Sequence, residues 1–200
     1  MPCAGIIIID MKKILSILIC SVLILSLASC SSYQDAPQAS FTDETETLEL
    51  EGFSLEYPAC WNPIGETDPE AVYNEPIFEA TSPLEDGIIC SSVILVRASS
   101  TDQKKLEKIV RVDDAPEIIN KLSQGLGTTL SQRNADMLII GGRTCLWFEA
   151  SFTKEDQDYV ISQTYFLHDS DVYILTVAAA LGHDDENALQ IPFSLRFAEE

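Results

Sequence analysis

The second half of the chain contains four consecutive strand-like segments joined by short turns, and this pattern restricts the possible folds most strongly. The segments cover residues 128–140, 143–152, 159–168 and 172–180. The connections are Gly141-Gly142, the charged stretch Lys154–Asp158 and Asp169-Ser170-Asp171. Connections this short join antiparallel neighbours, because a parallel pair needs a crossover of a dozen or more residues. The pattern therefore predicts an antiparallel meander that forms much of one sheet.

Shorter strand-like segments precede this meander. Apolar and polar residues nearly alternate from Leu48 to Tyr57, with Gly52 as a break, which predicts a strand pair or a bent strand. The Pro-containing stretch from Trp61 to Pro76 predicts mainly loop. Further strands are expected at Ile77–Thr81 and Ile88–Arg97, with Asp86-Gly87 as a tight turn between them.

Three segments have helical features instead. A helix capped by Thr101 would carry an apolar face of Leu106, Ile109 and Val110. A second would begin near Asp113 or Asp114, bury Ile118, Ile119 and Leu122, and end at Gly125 and Gly127. The acidic run after His183 suits the positive end of a third. The order of elements predicts an α+β fold, with a mainly antiparallel sheet flanked by helices, and not a Rossmann fold.

The N-terminal region has the features of a secretory leader. Lys12-Lys13 precedes an uncharged apolar run from Ile14 to Leu27, which ends in Ala28-Ser29-Cys30. This ending resembles the bacterial lipobox, so Cys30 is predicted to carry lipid on its thiol and to become the first mature residue. The run is shorter than the roughly 20 residues of a transmembrane helix, and a plain secretory leader would not need the thiol.

These features divide the chain into three parts. Residues 1–29 are predicted to be the signal peptide, with Met11 as the better start and residues 1–10 as an over-extended beginning. Residues 30–47 are predicted to be the lipidated cysteine and a flexible polar tether, and residues 48–200 a single domain. The mature protein is then expected on the outer face of the bacterial cell membrane, held there by the lipid on Cys30.

The charge excludes some partners. The chain carries a formal net charge of −20, so nucleic acid is not an expected partner and anionic lipid would repel it. Outside the leader and Cys30, three cysteines remain at Cys60, Cys90 and Cys145. Without a CxxC pair they predict neither a zinc knuckle nor a redox motif. One disulfide plus one buried thiol is possible, although Cys90 and Cys145 lie in apolar runs that favour small buried side chains.

The opening of the predicted domain, Gly52-Phe53-Ser54-Leu55-Glu56-Tyr57-Pro58-Ala59-Cys60-Trp61, resembles the PsbP-like group, which includes DcrB-like bacterial lipoproteins. Gly141-Gly142-Arg143 and the strand Asp171–Thr176 add to the resemblance, and Ile191–Phe197 is similar to the closing helix of the group. The resemblance covers roughly residues 48–197. It implies an α/β/α sandwich that acts as a binding or assembly module on a larger complex, without a shared catalytic site.

The sequence offers few groups for catalysis or metal binding. His168 and His183 do not have the spacing of a metal-ligand pair, and the neighbours of His168 in the turn Asp169–Asp171 do not by themselves indicate a triad. The acidic residues after His183 are better explained as a solvated helix start than as a cation site. Trp147 is expected in the core. Trp61 is the one candidate ligand-binding residue, with sealing of the sheet end as its alternative role.

We therefore predict a membrane-anchored, extracytoplasmic lipoprotein that acts as a non-enzymatic protein-binding or assembly module, with a protein partner in the envelope. No catalytic residue, metal or cofactor is predicted. The alternative is a lipoprotein that binds a small molecule or an ion and is associated with a transporter, which would need a pocket lined by aromatic residues. A cell-envelope hydrolase is a third and weaker hypothesis.

Overall fold

The computed structural model describes residues 33–71, 75–85, 88–98, 114–169, 171–183 and 185–198. The predicted leader, Cys30 and the helix expected from Thr101 lie outside the described residues, so these three remain predictions.

Thirteen strands and three helical segments are assigned in the described residues. The strands are β1 (Gln34–Asp35), β2 (Thr45–Leu50), β3 (Phe53–Pro58), β4 (Asn62–Pro63), β5 (Pro76–Thr81), β6 (Leu84–Glu85), β7 (Ile88–Ile89), β8 (Ser91–Ala98), β9 (Ser131–Ile140), β10 (Arg143–Lys154), β11 (Gln157–His168), β12 (Asp171–Ala180) and β13 (Arg196–Phe197). The helical segments are α1 (Ala115–Leu126), α2 (Asp185–Ala188) and a 3-10 helix (Ile191–Ser194).

The main sheet has eight strands in the order β1-β9-β10-β11-β12-β8-β5-β4. The predicted meander is confirmed as β9 to β12, which pair antiparallel with their neighbours in sequence. Gly141 and Gly142 connect β9 to β10 with φ angles of 55° and 83°, which favour glycine in a two-residue turn. The pair β1–β9 is parallel, whereas the other pairs of this sheet are antiparallel.

Each face of the main sheet is covered by a different kind of layer. The apolar face of α1, with Ile118, Ile119 and Leu122, lies in one cluster with Phe148 and Ile161. This helix begins as predicted, with Pro116 in its first turn, and Gly127 ends it in the left-handed conformation. Gly125, the other predicted end, lies inside its last turn.

The opposite face packs against a small antiparallel sheet in the order β13-β3-β2. Phe53 and Leu55 of β3 lie in one cluster with Phe166 and Leu175 of the main sheet. The prediction of a mainly antiparallel sheet is confirmed, but the expected α/β/α sandwich needs correction. One face carries a small sheet and short helical turns, because the alternating apolar residues of β3 form a strand surface that buries against a sheet.

The C-terminal segment also differs from the expected closing helix. Ile191–Ser194 is a single 3-10 turn, and the backbone then becomes extended at Leu195, with φ −53° and ψ 131°. Arg196 and Phe197 pair with Ser54 and Phe53 of β3 instead. Leu195 is fully buried. Pairing with β3 satisfies the backbone polar groups of the residues that follow it, so the apolar side chains of this segment can enter the core.

The first strands begin before the predicted domain boundary at Leu48. Gln34 and Asp35 pair with Leu138 and Ile139, and β2 begins at Thr45. The segment between them, predicted as flexible tether, forms hydrogen bonds with the C-terminal part of the domain. These contacts supply the partners for backbone groups that a tether would leave to water.

Candidate functional site

Trp61, the sequence candidate for ligand binding, lies in the core. It is 3% exposed and belongs to the apolar cluster between the main sheet and the small sheet. Its backbone N–H donates a 3.0 Å hydrogen bond to the carbonyl oxygen of Pro58. Such burial leaves almost no indole surface for a ligand, which supports the alternative role of Trp61 as a residue that seals the end of the sheet.

Trp147, by contrast, is half-buried. Its indole N–H donates a 3.0 Å hydrogen bond to the hydroxyl of Ser162, and its ring contacts that of Phe193 with centroids 5.5 Å apart. Both interactions are internal to the domain. Trp147 therefore fixes the 3-10 helix on the main sheet, in line with its predicted packing role.

His168 has a structural position at the end of β11. Its ring packs against those of Phe53 and Tyr173, with centroid distances of 5.5 and 6.1 Å. Its Nε2 lies 3.5 Å from a carboxylate oxygen of Asp169, while Ser170 is outside the described residues. The buried imidazole thus serves as a packing surface beneath the β2–β3 turn.

His183 forms a cluster with two residues that are distant in sequence. Its Nδ1 lies 2.9 Å from Oε2 of Glu85. Glu85, Cys90 and His183 each offer one ligand atom, and the three atoms lie within 4.8 Å of one another. Cys90 is buried, whereas the side chains of His183 and Glu85 are 39% and 53% exposed. The cluster therefore combines a buried thiol, an imidazole and a carboxylate at the domain surface.

Backbone and side-chain hydrogen bonds hold two of the three residues in place. The hydroxyl of Ser82 accepts the backbone N–H groups of Cys90 and Ser91 at 3.2 and 3.0 Å. On the His183 side, the backbone N–H of Leu181 donates to the carbonyl of Asp158 at 2.8 Å, and Gln157 donates to the carbonyl of Leu181 at 3.0 Å. These bonds attach the turn after β12 to the start of β11.

A pocket of about 510 Å³ opens beside this cluster. Its lining is mainly polar and comprises Thr42, Asp43, Cys60, Ser82, Pro83, Glu85, Gly182, His183, Glu186 and Asn187. The lining contains no Phe, Tyr or Trp, so it differs from the aromatic pocket that a small-molecule carrier was expected to need. Three of these residues are acidic and one is a histidine, so the pocket is better suited to a cation or a polar group than to an apolar ligand.

The sequence interpretation missed this arrangement. It grouped His183 with the acidic residues that follow it, and it treated Cys90 only as a small apolar side chain. The partner of His183 is Glu85, 98 positions earlier in the chain. No local spacing signals that contact, because it depends on the ends of β6 and β12 meeting at one end of the domain.

The described cysteines do not form a disulfide with one another. Cys60 is exposed, and Cys90 and Cys145 are buried as predicted. The thiol of Cys145 lies 3.5 Å from the carbonyl oxygen of Arg143, and burial raises its pKa to about 12. Cys145 is therefore a core residue without the properties of a nucleophile.

The layered arrangement of the domain is that of a PsbP-like fold, as the resemblance in the sequence predicted. The solution structure of cyanobacterial PsbP (CyanoP) from Synechocystis sp. PCC 6803 matches with a TM-score of 0.57 and 14% identity, over 86% of this chain and 99% of that one. LpqN of Mycobacterium tuberculosis, described as involved in cell envelope biogenesis, matches at 0.49 and 12% identity, over 78% of this chain and 91% of LpqN. At these identities the likeness concerns the fold alone.

No family model matches the sequence, and no curated protein is significantly similar to it. Within the described ranges, no helix is long and apolar enough to cross a membrane.

Proposed function

We propose that this chain is a lipid-anchored envelope protein that acts as a non-enzymatic binding or assembly module. The observation that carries the proposal is the short distance in sequence between the lipobox and the folded domain. Cys30 stands four positions before Gln34, and Gln34 already pairs with Leu138 in the main sheet. Four residues of fully extended chain span at most about 14 Å.

This short connection defines how the domain would meet the membrane. A lipid on Cys30 would hold the β1–β9 edge of the main sheet next to the bilayer. The opposite edge, formed by β4 and β5, would then point away from it. Since a net charge of −20 opposes adsorption to anionic lipid, the acyl chains would provide the attachment and the outer surfaces would remain available to a protein partner.

The fold supports a binding role rather than catalysis. The PsbP-like resemblance implies modules that assemble on larger complexes without a shared catalytic site. Among the described residues, neither histidine lies beside an exposed nucleophile for which it could act as a base. His168 is buried beneath the β2–β3 turn, and the thiol close to His183 belongs to Cys90, which is only 7% exposed.

Replacement of Cys30 tests the anchor. In cells fed an alkyne fatty acid, we expect the wild type to be labelled and to fractionate with membranes, and Cys30→Ala to lose the label and to be released or to stay unprocessed. Cys20→Ala is the matched control, because it removes a thiol from within the leader and leaves Cys30 in place. A mature, labelled and membrane-bound Cys30→Ala product would contradict the lipidation of Cys30.

In-cell crosslinking of the tagged protein, followed by mass spectrometry, tests the assembly role. We expect one envelope complex to be enriched with the wild type and to be reduced with the unanchored Cys30→Ala variant. If no protein is enriched, the alternative of a small polar ligand gains support, because the pocket beside His183 could hold one. A ligand-dependent rise in melting temperature in a metabolite screen would then be the decisive measurement.

A further inference from the structure

We propose that Glu85, Cys90 and His183 form a binding site for a zinc ion. Glu85 ends β6, Cys90 is the single residue between β7 and β8, and His183 lies in the turn after β12. Their ligand atoms nevertheless lie within 4.8 Å of one another. The proposal is independent of the protein partner suggested above, since the metal alone is the ligand.

The kinds of ligand favour zinc over the abundant hard cations. Zn²⁺ accepts thiolate, imidazole and carboxylate ligands, with bond lengths of about 2.0–2.3 Å. Ca²⁺ and Mg²⁺ prefer sites made of oxygen atoms, and a buried thiol such as Cys90 is a poor ligand for either. A site built from one sulfur, one nitrogen and one carboxylate is therefore selective for a borderline transition metal.

The geometry needs little adjustment to bind this ion. Ligands at tetrahedral angles around zinc lie about 3.3–3.7 Å apart, given the usual bond lengths. Glu85 and His183 are already closer than this, at 2.9 Å, in the hydrogen bond that a metal ion would replace. A separation from Sγ of Cys90 as long as the 4.8 Å limit would have to shorten by roughly 1.1–1.3 Å. The side chains of Glu85 and His183 both reach the surface, so small side-chain movements can supply this change.

The surroundings supply the positioning that a metal site requires. Ser82 holds the backbone at Cys90, and the hydrogen bonds that the backbone of Leu181 makes with Asp158 and Gln157 hold the turn that carries His183. Only Glu85 belongs to a short exposed hairpin. Cys90 and His183 are thus held by the surrounding backbone, which defines the geometry of the site. The carboxylate of Glu85 can adjust its position when the ion enters.

Three protein ligands leave the fourth zinc position open. Glu85 and His183 both line the pocket of about 510 Å³, where Asp43 and Glu186 add negative charge that attracts a cation. The open position would be filled by water or by a group that enters from the pocket. The site is thus expected to exchange its metal with solvent, unlike a closed four-ligand structural site.

Cobalt substitution tests the site on the full chain purified in detergent. Titration with Co²⁺ should give one equivalent of visible d–d bands together with a thiolate-to-cobalt charge-transfer band, and Zn²⁺ should abolish both. Cys90→Ser should remove the charge-transfer band. His183→Gln and Glu85→Gln change exposed side chains and should each weaken Zn²⁺ binding by more than about tenfold. Loss of a residue that only supports a metal ligand already lowers metal affinity by about tenfold or more, and loss of the ligand itself should cost at least as much.

Cys60→Ser is the matched control, because Cys60 lines the same pocket but does not belong to the cluster. We expect it to retain both bands and the affinity of the wild type. The proposal is overturned if the wild type shows no charge-transfer band, if the band survives in Cys90→Ser, or if it is lost in Cys60→Ser. The proposal is also overturned if His183→Gln and Glu85→Gln both bind Zn²⁺ with wild-type affinity. This result would hold even if Cys90→Ser failed to fold.

Discussion

Thr42 and Asn187 are 145 positions apart, yet the backbone N–H of Thr42 donates a 2.8 Å hydrogen bond to the side-chain oxygen of Asn187. The hydroxyl of Thr42 donates to the same oxygen at 3.0 Å, and the amide nitrogen of Asn187 donates to Asp43 at 3.0 Å. Asn187 is only 4% exposed. One side chain of α2 thus attaches the N-terminal segment to the C-terminal part of the domain.

We expect Asn187→Ala to destabilise the protein by about 1–3 kcal/mol, because the three hydrogen bonds that the buried amide makes with Thr42 and Asp43 are lost together. Urea denaturation would measure the change in the free energy of unfolding, and limited proteolysis should cleave more rapidly near Thr42. Asn134→Ala is the matched control, since the amide of Asn134 bonds to Glu149 at an exposed site. Equal losses of stability in the two variants would contradict a specific role of Asn187.

Gly52→Ala should destabilise the domain by about 3 kcal/mol or more, through backbone strain and overpacking together. Gly52 has a φ of +83°, and a Cβ placed there would overlap the imidazole ring of His168. The imidazole has little freedom to move, because Phe53 and Tyr173 pack against it.

Gly65→Ala separates these two contributions. Gly65 has a similar φ of +79°, but no atom lies within 4 Å of the added Cβ. Its loss should be about 1 kcal/mol, from backbone strain alone. Thermal or urea unfolding that gives the same loss for both variants would exclude the steric contact with His168 as the cause.

Tyr165→Phe should cost about 1–3 kcal/mol, because it leaves a buried acceptor without its donor. The hydroxyl of Tyr165 donates a 3.0 Å hydrogen bond to the side-chain oxygen of Gln163, which is fully buried. The amide nitrogen of Gln163 donates in turn to Thr176 at 2.8 Å. Tyr33→Phe, at a side chain that is 54% exposed, should change the free energy of unfolding by less than about 0.5 kcal/mol. A similarly small effect of Tyr165→Phe would show that the network does not contribute to stability.

Cys60 and Cys145 should react very differently with iodoacetamide at pH 9. Because burial raises the pKa of Cys145 to about 12, only about one molecule in a thousand carries its thiolate at that pH, and the side chain is fully buried. Peptide mapping by mass spectrometry should find rapid modification of the exposed Cys60 and modification of Cys145 only after unfolding. Equal rates in the native protein would contradict the burial of Cys145.

Local patterns were enough to predict the meander and α1. The turn at Gly141-Gly142 depends on the φ angles of two residues, and the buried face of α1 depends on residues three and four positions apart. The C-terminal segment Ile191–Phe197 could not be predicted in this way. Its extended end forms because β3 offers hydrogen-bond partners, and no residue near Phe197 in sequence signals that strand.

The sequence by itself therefore determined the meander, its turns and α1, while the lipid attachment at Cys30 stays a prediction. Only the tertiary structure decided that Gln34 pairs with Leu138, that Trp61 lies in the core and that Glu85, Cys90 and His183 meet. The physical reason is the range of the interactions. Periodicity and turn conformation arise within a few residues, whereas a contact between distant segments depends on how all apolar faces of the chain are buried together.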